Sequence, residues 1–155
     1  EIVCVIAGDG SLRTKLLEQA QKLGLENNLF LVGNKSQTWL GSLLADSDVL
    51  VFPLAGRGLV EAALSGTPIV AYDTEWHYEL IHTNESGILV EVDNPKVMAQ
   101  SVLALLDDRQ NGMRLAENLR EKVISDFDTR DLIRLEKSFV SELIQSHMEK
   151  KSNDG

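Results

Sequence analysis

Gly56, Gly58 and Glu61 are the residues of this 155-residue chain whose types and spacing could do chemistry together. The two glycines turn an apolar run, residues 49–52, into a short amphipathic segment, and Glu61 lies one turn into that segment. A strand, a glycine turn and a helix leave unpaired backbone N–H groups at the helix start, facing the C-terminal end of a parallel sheet. Anions bind there, because the N–H groups donate and the helix dipole favours negative charge. A carboxylate at Glu61, on the same side, accepts hydrogen bonds from hydroxyls but not from phosphates. Phosphate at the turn with hydroxyls at the Glu describes a nucleotide and its ribose. The bland alternative is a helix-opening turn with a solvated Glu. Arg57, between the glycines, reads equally as a diphosphate contact, which its fork geometry suits, or as a surface charge.

Other chemistries have weaker support. Gly8-Asp9-Gly10 opens like a dinucleotide fingerprint, but Arg13 stands at the third Gly position. Gly33 and Asn34 end the next strand, where that fingerprint needs an acid. No NAD site is expected, and the segment reads as a tight turn at the ligand edge. Asp46-Ser47-Asp48 has the spacing of a metal-binding acidic pair, yet it precedes a strand instead of following one. It reads as a helix end, and no metal site is expected. His77, with Trp76 and Glu79, follows the fourth strand at the same edge; the plain reading is a surface or capping histidine. Trp39 reads as a core or partner-contact residue. The chain has neither a Ser/His/Asp or Cys/His set nor zinc spacing.

The elements that must position these residues alternate. Strands are predicted over residues 2–7, 29–32, 49–52, 69–72 and 88–92. Helices are predicted over 12–22, 39–45, 59–64 and 77–82. Such alternation means an α/β fold with a parallel, Rossmann-like sheet flanked by helices and joined by right-handed crossovers. The last third is helical. Pro95 opens one helix, a second covers 111–124, and a third runs from about 130 to 147 with Leu132, Leu135, Phe139, Leu143 and Ile144 as its apolar stripe. Residues 1–150 are expected to form one domain and 151–155 a disordered tail.

Composition bounds the function. A formal net charge of -9 argues against a general nucleic-acid binder. Cys4 is the only cysteine, so an internal disulfide is impossible; it reads as a small core residue, and the composition suits the cytoplasm. No apolar run is long enough to span a membrane. The chain opens directly in a strand, without Met, and is expected to be a piece of a longer protein.

Six segments resemble, in order, the C-terminal donor-binding domain of GT-B-fold retaining glycosyltransferases, the large bacterial group 1 family. Val5-Ile6-Ala7-Gly8-Asp9-Gly10 resembles its strand and "GDG" turn, and Leu31-Val32-Gly33 its "FLG". The run from Ala45 to Pro53 resembles "ADVFVFPS", and that from Glu61 to Ala71 resembles "EAMACGTPVVA". Glu79-Leu80-Ile81 and Ser86-Gly87-Ile88-Leu89-Val90 resemble the "E-V-I…TG-L-V" that follows.

The resemblance implies transfer of a glycosyl group from a nucleoside-diphosphate sugar, with UDP- or GDP-sugar as donor and substrate and no separate cofactor. Glu61 aligns with the second Glu of an E-x7-E motif and would hold the ribose hydroxyls. Gly58 and Leu59 align with backbone amides at the phosphates. Gly8 would line the same edge, and the loop Gly33-Asn34-Lys35 would border the base. No metal is implied. Pro53 stands where the first motif Glu belongs, eight positions before Glu61, and the intervening loop is short. The family's first strand–helix unit and its acceptor-binding N-terminal domain would precede Glu1, so the fragment alone is expected to be inactive. Membrane association, where the family has it, belongs to that missing half. A sugar-nucleotide epimerase on the same fold is a second reading; it should carry acidic and basic groups where Ala55, Leu59 and Val60 stand. A non-catalytic nucleotide-binding or interaction module is a third, raised by Pro53.

Overall fold

A computed structural model describes residues 2–54, 56, 58–127, 133–134 and 136–145. The chain divides into two compact units, Glu1–Ser47 and Asp48–Gly155.

In the first unit, β1 (Cys4–Ala7) pairs in parallel with β2 (Leu29–Gly33), and α1 (Arg13–Lys22) connects them. The crossover is fastened to the sheet by Arg13, whose Nη2 donates to the Leu31 carbonyl at 3.0 Å. α2 (Gln37–Asp46) starts where Ser36 Oγ accepts from the Trp39 amide at 3.3 Å, a side-chain cap that meets one of the helix's orphan donors.

In the second unit, β3 (Leu50–Phe52), β4 (Ile69–Tyr72) and β5 (Ile88–Val90) form a parallel sheet in that order. β4 is central, and Ile69, Val70 and Ala71 are all buried, as a parallel strand covered on both faces requires. α3 (Gly58–Leu64) buries Leu59, Ala62 and Ala63. α4 (His77–Leu80) is a single turn. α5 (Pro95–Asp107) packs on β4 and β5, and α6 (Arg109–Asp126) packs on α3, α4 and α5. Leu115, Leu119 and Val123 of α6 recur at four-residue spacing and are buried. Asn94 Oδ1 caps α5 at the Val97 amide (3.2 Å), with Pro95 at the first helical position. Asp108 Oδ1 caps α6 at the Asn111 amide (3.0 Å).

All five expected strands form, and every ladder is parallel, so the α/β, Rossmann-like class holds. Among the described residues the strands pair as a two-stranded sheet in the first unit and a three-stranded sheet in the second.

Two expectations about burial fail. Cys4 is exposed, because β1 buries none of its four residues; partial desolvation still raises its thiol above the ordinary value. Of the two readings of Trp39, core and partner contact, the first fails: it is exposed, standing in the first turn of α2 with Lys35 Nζ 5.3 Å from its ring centroid. The third C-terminal helix is present over 136–145 and exposes Phe139, Leu143 and Ile144. Leu132, Leu135 and the expected tail at 151–155 lie outside the described residues. Among the described residues, no helix is long and apolar enough to cross a membrane.

Candidate functional site

The glycine turn leads from β3 into α3 at the C-terminal edge of the β3–β4–β5 sheet. Gly58 is the first residue of α3. The Leu59 amide donates to the Gly56 carbonyl at 3.1 Å and closes the turn. The Gly58 N–H stands one position earlier, where the helix ladder supplies no acceptor. The Leu59 side chain is wholly buried and anchors the turn to the core. Glu61 lies in the first turn of α3 and is exposed. Arg57 lies outside the described residues. It is the only Lys or Arg of the sequence between Asp48 and Val92.

β4 ends beside β3 at the same edge, and α4, which follows the loop 73–76, opens on His77. This residue departs from expectation, for it is neither a surface nor a capping histidine. Its side chain is fully buried, and Nδ1 lies 2.7 Å from the Tyr72 carbonyl oxygen. A carbonyl only accepts, so Nδ1 carries the proton. The ring meets Trp76 edge-on at 5.7 Å, and Nε2 is buried with no partner among the described residues. The sequence signal for this burial was the stripe His77, Leu80, Ile81, at the spacing of one helix face; Leu80 and Ile81 are buried beside it.

Gly8, Gly33 and Lys35 belong to the first unit. The Gly8 amide donates to the Gly33 carbonyl at 2.9 Å, which joins the ends of β1 and β2. Gly33 has φ +72° and Gly8 φ +127°, backbone conformations that favour glycine, so both turns depend on the residue type. Lys35 is engaged over the Trp39 ring. Gly58, Leu59 and Glu61 are thus grouped at the start of one helix, while Gly8 and Gly33 are joined to each other in the other unit.

Asp46 is the last residue of α2, as expected. Asp48 pairs with Arg109 Nη1 at 3.0 Å. Among the described residues no group of three or more His, Cys, Asp or Glu is placed to hold a metal.

A parallel sheet with a glycine turn at its C-terminal edge and a carboxylate in the first turn of the next helix is the arrangement of an α/β, Rossmann-like protein. Residues 1–122 match the family model described as "Glycosyl transferases group 1", and the chain belongs to that family. It is similar to a poly(ribitol-phosphate) alpha-N-acetylglucosaminyltransferase of Staphylococcus aureus, with 28% identity over 133 residues, 83% of this chain and 27% of that protein. It is also similar to a glycogen synthase of Mycobacterium tuberculosis, with 31% identity over 127 residues, 79% of this chain and 31% of that protein. Among solved structures, the Anabaena protein Alr3699/HepE in complex with UDP shares the fold, with a TM-score of 0.82 at 23% identity over 91% of this chain and 41% of that one. The same Anabaena protein has been solved with UDP-glucose. The chain therefore spans about a third of the length of these curated relatives.

Proposed function

We propose that this chain is the donor-binding part of a glycosyltransferase and binds a nucleoside-diphosphate sugar at the C-terminal edge of the β3–β4–β5 sheet. The observation that carries the reading is the turn from β3 into α3, with the Gly58 N–H at the helix start and Glu61 in its first turn. The diphosphate sits at the Gly58–Leu59 backbone, and Arg57 adds a fork of donors to it. The ribose hydroxyls donate to the Glu61 carboxylate. Backbone amides and basic side chains carry the diphosphate charge without a metal, and stabilising that charge as it leaves is the electrostatic part of the reaction.

Family membership supports this reading, as do the UDP and UDP-glucose bound to a protein of the same fold. The donor is a UDP- or GDP-sugar, and transfer to an acceptor needs a second, acceptor-binding domain, so the chain alone turns over no donor. The working compartment is the cytoplasm, where nucleotide sugars are the available donors.

Pro53 favours a second reading. It stands eight positions before Glu61, where the family's first motif Glu would meet the transferred sugar, so a non-catalytic nucleotide-binding module is the alternative.

Calorimetric titration of wild type and Glu61→Ala with UDP, GDP and ADP tests the reading. The expected result is binding of one nucleoside diphosphate that Glu61→Ala weakens by about 1–3 kcal/mol, the cost of a lost hydrogen bond to a charged group. Equal affinity in both proteins would remove Glu61 from the site.

A further inference from the structure

We propose that His77 is a positioning residue for the donor site: its Nδ1–H bond to the Tyr72 carbonyl fixes the loop 73–76 at the ligand edge of β4, an inference that rests on the donor-binding reading above.

α4 is one turn long and cannot hold itself in place, because a single turn closes too few hydrogen bonds to repay its nucleation. Its C-terminal side is tied down. The His82 amide donates to Ser86 Oγ at 2.9 Å, and Arg114 and Asn118 of α6 donate to the carbonyls of Asn84 (3.1 Å) and Glu85 (2.7 Å). Among the described residues, its N-terminal side is tied by the 2.7 Å bond from His77 Nδ1 to the last carbonyl of β4. The same carbonyl accepts from the Thr74 amide at 3.0 Å, the Asp73 amide donates to Val90 at 2.7 Å, and the His77 amide donates to Thr74 at 3.1 Å. The Tyr72 carbonyl is thus the pivot between the sheet and the loop that carries Asp73, Glu75 and Trp76. Within that loop Glu75 has φ +49°, a conformation that an L side chain holds only when its surroundings impose it.

Packing alone does not account for a histidine here. An apolar side chain of similar volume would fill the place without burying an unmet Nε2 acceptor. What the imidazole adds is the Nδ1–H donor. β3 and β4 are adjacent strands about 4.8 Å apart, so a loop fixed at the end of β4 borders the turn that opens α3.

The test uses the full chain with His77→Leu, which keeps apolar bulk and removes the donor, and His77→Asn, whose amide reproduces the Nδ1–H position. Amide hydrogen exchange is read at residues 74 and 77, and at Val90 and Leu119 as controls. Expected is exchange about tenfold faster at the loop in His77→Leu, unchanged at the controls, and within about threefold of wild type in His77→Asn. UDP affinity should fall about tenfold in His77→Leu and recover in His77→Asn. Unchanged loop exchange in His77→Leu, equal losses in both variants, or unchanged UDP affinity with a loosened loop would each overturn the proposal. Should wild type bind no nucleotide, the donor-binding reading fails, and the exchange pattern alone decides whether His77 fixes the loop. If His77→Leu does not fold, nitrogen NMR of wild type decides: Nδ1 protonated and Nε2 bare is expected, and the opposite tautomer overturns it.

Discussion

A methyl group added at Gly87 would meet Ile81 Cγ2 at 2.8 Å and the Ile69 carbonyl at 3.2 Å, both in the core. Neither neighbour has room to withdraw, because Ile81 and Ile69 are buried on either side of the loop that enters β5. Gly87→Ala is therefore expected to lower stability by about 1–3 kcal/mol, read as a lower urea midpoint with an unchanged slope. Glu61→Ala is read at the site instead: Glu61 is exposed in the first turn of α3, and its loss should lower nucleotide affinity. Cys4 gives a residue-scale prediction in pH. Its thiol is raised by desolvation, so the neutral, unreactive form persists to higher pH; alkylation should accelerate only above the range of an ordinary exposed thiol.

Capping residues decided where the elements begin. α6 starts at Arg109, two positions before the sequence reading, because the Asp108 carboxylate accepts from the Asn111 amide. Asn94→Ala removes the corresponding cap of α5 and should cost about 1 kcal/mol in thermal or urea unfolding. β4 was legible in full, since a central parallel strand is an unbroken apolar run bounded by Pro68 and Asp73. α4 was read two residues too long. Ile81 is already extended, and the His82 amide turns to Ser86 Oγ, a tie between residues four apart that hydrophobic spacing does not register. The glycine turn and Glu61 were legible because residue type dictates them. The burial of His77 was signalled only by its place in the stripe His77, Leu80, Ile81; its bond to the Tyr72 carbonyl was not, because that depends on how the chain turns after β4. Cys4 and Trp39 show the converse: apolar patterning marks a strand or a helix face, but it does not say how much of that face is covered.

At the scale of the whole chain, the net charge of -9 disfavours an anionic ligand at long range, so the proposed site relies on local donors, the backbone N–H groups and Arg57. Arg57→Gln should weaken nucleoside-diphosphate binding while leaving the affinity for the free nucleoside unchanged, since only the diphosphate meets the guanidinium. The Asp48–Arg109 pair, by contrast, is an exposed ion pair whose removal should cost no more than about 1 kcal/mol. The most direct measurement of the central claim is calorimetry on wild type with UDP, GDP and ADP, each beside its nucleoside. One diphosphate should bind and its nucleoside should bind far more weakly, because the phosphates meet the helix start. Equal binding of diphosphate and nucleoside, or none of either at millimolar ligand, would contradict a donor site at the start of α3.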